Sequence, residues 1–205
     1  MLSSNELGKI ISARSVLTWY RPDSYYEESD WKGTWDKEGG GVIIDQAIHS
    51  MDLVNWFVAS EPIKVDANYA NRGHRIMKVE DSAEGLITYR NGVTYSFWAM
   101  NNYGCDEPIE IRLYCEKGKV VLTYDDACIT FNDGRELHVH QSNDNSAYKI
   151  GKDYWGFQHV KQINEFYDSV KEKRMPEISA SEALKIQKII CAIYESGRMG
   201  TPIIF

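Results

Sequence analysis

The sequence predicts an α+β fold: an open, mostly antiparallel mixed sheet with helices packed on one face. Three observations predict it. After Glu61-Pro62 the chain becomes a series of short β-branched or aromatic runs of period two, among them KVDANYANR, DSAEGLITYR, VTYSFWAMN and IEIRLYCE. A helical stripe precedes these runs and two more follow them. The turn signals between runs, Arg90-Asn91-Gly92, Glu116-Lys117-Gly118 and Asn132-Asp133-Gly134, leave few residues for crossover helices, which excludes an all-parallel sheet and favours an antiparallel meander.

Residues 9–20 are rich in Ile, Val, Ser and Thr and read as a strand that stops before Arg21-Pro22, where proline removes a ladder donor. The stretch PDSYYEESDWKGTWDKEGGG has no period and reads as a long loop, a class that tends to be functional. Residues 42–58 carry apolar side chains at 44, 47, 48, 51, 54 and 58, the spacing of one helix face. Two closing helices are expected at 156–173 and 179–196, the second with Ser179 as N-cap, Glu182 completing a capping box and Gly197 as its end. Residues 201–205 suit an edge strand. The whole chain, 1–205, reads as one domain, and the second face of its sheet is expected to carry Tyr89, Tyr95, Phe97, Leu113 and Tyr114, with a partner subunit as one way to cover it.

Composition narrows the function. An apolar fraction of 43% in 205 residues supports a proper core. With 23 basic and 30 acidic residues, net charge −7, and no dense basic run, a nucleic-acid partner is not expected. The sequence shows neither a signal core nor a membrane-length apolar stretch, so no membrane partner and a cytoplasmic location are expected. The four cysteines lack a CxxC or zinc-like rhythm and read as free thiols.

The stretch EGGGVIIDQAIHS, residues 38–50, concentrates the chemistry. On a helix Asp45 and His49 share a face, with Asp52 further along it, so a carboxylate can orient an imidazole that titrates near neutrality. The glycines permit close approach by a ligand, and free amides at a helix start favour negative charge. A mobile turn followed by a solvated polar stripe is the other reading of the same residues. In the aromatic loop Trp31 and Trp35 could stack on sugar faces and Lys32 could hold a phosphate or carboxylate; alternatively the loop packs down on its own rings. YWGFQH places Tyr154 and His159 at a helix start, where His159 could meet hydroxyls or simply cap. His138 and His140 alternate as a metal pair would, but no third ligand is evident and a plain edge strand is favoured, so no metal is expected.

WKGTWDKEGGGVIIDQAIHSMDLVNWFV, followed by the sheet, then DYWGFQHVKQINEFYDSV and SEALKIQKIICAIYESG, resembles the C-terminal domain of the Gfo/Idh/MocA oxidoreductases over nearly the whole chain. The resemblance implies that His49 is the catalytic acid/base, that Asp45 is its acidic partner, and that the substrate is a sugar, sugar nucleotide or polyol. It also implies a homo-oligomer formed through the open sheet face, and NAD or NADP held mainly by an N-terminal Rossmann domain. The chain contains no GxGxxG fingerprint and no Glu-Lys-Pro segment, so it reads as one half of an enzyme and by itself is expected to be inactive and to bind NAD(H) weakly. The rival reading is a non-catalytic ligand-binding or dimerisation module.

Overall fold

The computed structural model describes residues 6–123, 126–140 and 157–205. The chain divides into two compact units, Met1–His140 with Ile186–Phe205, and Gln141–Lys185.

In the first unit the alternating runs become strands β1 (Ile10–Thr18), β2 (Pro62–Ala70), β3 (Ser82–Tyr89), β4 (Thr94–Met100), β5 (Glu110–Cys115), β6 (Gly118–Thr123), β7 (Asp126–Phe131), β8 (Glu136–His140) and the short β9 (Ile203–Ile204). They form one sheet in the order β8-β7-β6-β5-β1-β4-β3-β2-β9. Every pairing is antiparallel except β1 with β4, which runs parallel with Ala13 opposite Tyr95 and Val16 opposite Trp98. The α+β, mixed-sheet expectation therefore holds. The simple meander is interrupted, because β1 enters between the β2-β3-β4 and β5-β6-β7-β8 hairpin series. Turn residues specify each hairpin locally but carry no information about where a distant strand inserts.

Helix α1 (Asp23–Glu27) lies within the stretch expected to be loop. A π turn at Ile43–Ala47 leads into α2 (Ile48–Val58), and the last helix is α4 (Ala180–Met199). Apolar residues of the π turn and α2, including Ile43, Ala47, Met51, Val54 and Val58, share one core with Ile186, Ile189, Ile190 and Ile193 of α4 and with Ala13, Leu17, Ile87 and Leu113 of the sheet. Each large aliphatic side chain removed from water there contributes about 1.5–3 kcal/mol.

The register corrects the expected assignment of faces. Tyr89, Tyr95, Phe97 and Leu113 are buried in that core, and of the five residues expected on the second face only Tyr114 is exposed. Cross-strand partners share a face, so the second face carries rows such as Leu86–Ser96–Arg14–Arg112–Val121 and Glu84–Trp98–Val16–Glu110. It is a mixed surface. Leu86, Trp98 and Tyr114 are exposed there, beside a Glu110 carboxylate that takes both Arg14 and Arg112 at 2.6 Å. Alternation separates two faces but does not say which one meets the helices.

Helix α4 also outruns its expected end. Gly197 lies inside it because the Tyr69 ring fills the space a Cβ would need, and the helix stops before Gly200, whose φ is +65° and whose amide donates to the Ser196 carbonyl at 2.8 Å. In the second unit α3 (Phe157–Glu172) is followed by Arg174, which pairs with Glu165 at 2.6 Å and Glu172 at 2.7 Å. Ser179 Oγ accepts the Glu182 amide at 3.3 Å, the expected cap, while the Glu182 carboxylate turns to Lys185.

Candidate active site

The glycine triplet is built around a buried carboxylate. Gly39 adopts φ +88°. A Cβ on Gly40 would run into the Tyr194 hydroxyl, and one on Gly41 into the Glu80 backbone carbonyl. Glu80, only 1% exposed, takes the Gly41 amide on both carboxylate oxygens at 3.0 and 2.9 Å, the Ile43 amide at 3.1 Å and the Tyr194 hydroxyl at 2.9 Å. Its own carbonyl accepts the Val42 amide at 3.1 Å. Burial pushes the Glu80 carboxyl above the usual carboxylate range, against the opposing pull of these donors. The helix-start amides expected to be free for an anionic ligand are thus occupied by the protein's own carboxylate, and the glycines serve this close packing.

Beyond the clamp the backbone makes the π turn, in which the Ile48 amide reaches back five residues to the Ile43 carbonyl. Such insertions recur at functional sites. It turns Gln46 and Ala47 into the interior and leaves Asp45 half-buried. Asp45 Oδ2 accepts Gln46 Nε2 at 3.3 Å. Gln46 Oε1 accepts Asn101 Nδ2 at 3.1 Å, and Asn101 Nδ2 also donates to the Tyr26 hydroxyl oxygen at 2.8 Å. Burial first, then the nearby Asp45 and Glu38 carboxylates, hold the Tyr26 hydroxyl protonated well above the usual phenol range. Burial, reinforced by Asp45 and Glu80, pushes the Glu38 carboxyl up to about 7 despite the Gly33 amide at 2.5 Å and the attraction of Lys32. His49, in the first turn of α2, is exposed, and no described residue hydrogen-bonds its ring; Asp45 and His49 share a segment but form no hydrogen bond or ion pair with each other.

The aromatic loop packs partly on itself. Lys32 Nζ lies 3.5 Å from the centre of the Tyr25 ring and 5.7 Å from that of Trp31, whose indole is exposed. Trp35 donates Nε1 to the Lys78 carbonyl at 2.9 Å and meets the Tyr69 and Tyr194 rings. Behind the loop His74 bridges the Asp81 carboxylate at 3.2 Å and the Arg21 carbonyl at 2.5 Å.

His159 lies exposed on α3 of the second unit, and Tyr154 falls outside the described residues. His140 pairs with Asp126 and His138 faces Cys128 across the β7–β8 register. Among the described residues no group of three or more His, Cys, Asp or Glu side chains is placed to hold a metal ion, and no described helix is long and apolar enough to cross a membrane. A shallow concavity lined by Asp66, Asn68, Glu84 and Leu86 on β2 and β3 includes none of these site residues.

Sequence reasoning missed Glu38, Glu80, Asn101, Gln46 and Tyr26. Only Glu38, directly before the glycines, and Gln46, between Asp45 and His49, had a local signal; the other three arrive through tertiary packing.

Comparison with known proteins gives a consistent picture. Residues 1–121 match the family model described as GFO/IDH/MocA C-terminal domain. Among solved structures, the chain is similar to the WlbA dehydrogenase from Bordetella pertussis in complex with NADH and UDP-GlcNAcA, at 24% identity and TM-score 0.80, covering 100% of this chain and 59% of that one. The WlbA dehydrogenase from Chromobacterium violaceum, also in complex with NADH and UDP-GlcNAcA, matches at 25% identity and TM-score 0.81, covering 100% and 57%. A levoglucosan dehydrogenase in complex with NADH matches at 20% identity and TM-score 0.80, covering 99% and 60%. The chain spans about three fifths of the length of these proteins.

Proposed function

The chain belongs to the GFO/IDH/MocA C-terminal domain family, and from that premise we propose that it is the substrate-binding and oligomerisation half of an NAD(P)-dependent oxidoreductase. The enzyme would transfer hydride between nicotinamide and the hydroxyl-bearing carbon of a sugar, sugar nucleotide or polyol, with the hydroxyl proton moving separately. The observation that carries this reading is the contrast within one segment: an exposed His49 imidazole with no described hydrogen bond, on a helix start fixed by the buried Glu80 clamp and beside the half-buried Asp45. A group held rigidly and left available suits proton transfer with a ligand.

The glycine-rich helix start does not fit the cofactor's pyrophosphate, because its Gly41 and Ile43 amides are already taken by Glu80. The chain's own contribution is therefore substrate binding and proton handling. His49 would take the hydroxyl proton during oxidation and return it during reduction, with Asp45 supporting the imidazolium charge. Trp31 offers an exposed ring face and Lys32 a half-buried ammonium for a carboxylate or phosphate, and Tyr154 and His159 are further candidates for substrate contact. Leu86, Trp98 and Tyr114, with the Arg14–Glu110–Arg112 triad, are the surface through which two copies would associate.

The decisive experiment assays the enzyme carrying its cofactor domain against a panel of sugars, sugar nucleotides and polyols with NAD and NADP. Reduction of the nicotinamide that disappears in His49→Ala is expected. Substrate binding without turnover across the panel would instead favour the non-catalytic module. Sedimentation tests the association: a dimer that dissociates in Trp98→Glu is expected, and a monomer at high concentration would refute it.

A further inference from the structure

We infer that Gln46 and Asn101 are positioning residues for Asp45, joined with Tyr26 in a buried relay whose direction the Asp45 carboxylate sets. The inference rests on the reading of Asp45 as part of the site. An ionised carboxylate accepts hydrogen bonds and cannot donate them. The Gln46 amide must therefore present Nε2 to Asp45 Oδ2, at 3.3 Å, which turns Oε1 inward. That oxygen needs a donor. Asn101 supplies Nδ2 at 3.1 Å and gives its second hydrogen to the Tyr26 hydroxyl oxygen at 2.8 Å.

One atom is left over, and it reports the direction. Asn101 Oδ1 is buried without a hydrogen-bond partner among the described residues. A buried unpaired acceptor is costly, and native proteins leave few of them. Turning the Asn101 amide over would place its oxygen against Gln46 Oε1; turning Gln46 over as well would place that oxygen against the Asp45 carboxylate. Each alternative opposes two acceptors, and the second opposes one of them to a charge. The unpaired oxygen is the consequence of starting the relay at Asp45.

The relay is anchored at its inner end. Gln46, Asn101 and Tyr26 are 5%, 1% and 5% exposed. Asn101 follows β4 directly, its amide donating to the Asp81 carbonyl at 2.9 Å and its carbonyl accepting the Arg21 amide at 2.8 Å. Tyr26 accepts from Asn101, so its own hydrogen stays available as a donor. A half-buried carboxylate is thereby tied, through Gln46, to the end of a central strand and to α1.

The test is nuclear magnetic resonance of the side-chain amides in the isotope-labelled chain. Gln46 and Asn101 amide pairs are expected to stand apart from those of solvent-exposed amides and to exchange with water at least about tenfold more slowly. Asn101→Leu should return the Gln46 pair toward the free-amide position while the backbone amides of β1 and β3 stay in place. If that variant does not fold, Gln46→Met, observed at the Asn101 amide, makes the same comparison. Free exchange at both amides, or a Gln46 signal indifferent to Asn101→Leu, overturns the relay. In the cofactor-bound enzyme both substitutions should lower kcat by about tenfold with KM unchanged, a split that a simple loss of folded protein would not mimic. Unchanged kcat in both variants removes the positioning role. If the amide coupling holds but Asp45→Asn leaves kcat intact, the relay stands and the catalytic reading of Asp45 falls.

Discussion

The Tyr194 hydroxyl donates to the Glu80 carboxylate at 2.9 Å, and through that bond the last helix holds the start of the segment that carries Asp45 and His49. Glu80 passes the restraint on through the Gly41 and Ile43 amides. Glu80→Ala strands three buried donors, each at about 1–3 kcal/mol. The expected loss is at least about 3 kcal/mol by urea unfolding, with Tyr194→Phe costing about 1 kcal/mol because it deletes one bond and keeps the ring. Equal losses in the two variants would show that the carboxylate does not organise the helix start.

A second prediction concerns pH and the His74–Asp81 pair, which lies behind the aromatic loop. Burial opposes both charges, but the Asp81 bond and the Arg21 carbonyl raise His74 above its ordinary 6.5. Asp81, bonded by His74 and by the Arg72, Gly73 and His74 amides, falls well below its ordinary 3.8. Stability from the raised imidazole is complete below 6.5 and is lost as pH rises through its folded value; stability from the depressed carboxyl is complete above 3.8 and is lost as pH falls through its folded value. The pair therefore contributes in full between these two ordinary values. His74→Gln should flatten the decline in urea midpoint as pH rises above 6.5, and an unchanged slope would sink the assignment. Asp81→Ala should cost about 3–5 kcal/mol at pH 5.5, since it leaves His74 and three amides without their acceptor.

These two clusters also show what the sequence could and could not reveal. The helix stripe at 42–58 and the alternating strands were legible because each depends on local periodicity, and Asp45 and His49 stood out because they interrupt an apolar stripe. Glu80 and Asn101 were not legible. Glu80 comes from the approach to β3 and Asn101 from the end of β4, so neither is a neighbour of the π turn until the sheet has formed. The glycine triplet does signal close approach, but the approaching group is a carboxylate of the chain itself. The π turn also escaped, because one extra residue in a helix leaves almost no mark on an apolar pattern already broken by Asp45 and Gln46. Face assignment failed at Tyr89, Tyr95, Phe97 and Leu113 because alternation is symmetrical between inside and outside.

Glu38 gives a third prediction. Its carboxyl is pushed from 4.5 to about 7, first by burial and then by the Asp45 and Glu80 charges. The folded state prefers it neutral, so its stabilising contribution is complete below 4.5 and is lost as pH rises through about 7. Solvent screening at this half-exposed position limits the effect to about 1 kcal/mol. Glu38→Gln retains an acceptor for the Gly33 amide and removes the ionisation. It should match the unaltered protein at pH 4 and exceed it in thermal stability at pH 8. A variant less stable at pH 8 would mean that the ionised carboxylate, with Lys32, holds the loop.

The last prediction returns to Asp45 and His49 and uses the enzyme with its cofactor domain. Since no described residue hydrogen-bonds the exposed His49 ring, truncating it breaks no described hydrogen bond and buries no new polar group, so His49→Ala should leave the melting temperature within about a degree or two. Turnover should fall by about 10² to 10⁴, the usual contribution of a positioned acid/base. Asp45→Asn should reduce turnover less, because the imidazole remains and only its charge support weakens, although the Gln46 amide that faced a carboxylate must now share an amide partner. If the two residues were merely a solvated stripe, neither substitution would change turnover per folded molecule. Measuring melting temperature and kcat on the same preparations separates the readings: a stable, inactive His49→Ala requires proton chemistry at that ring, and a stable, fully active one eliminates it.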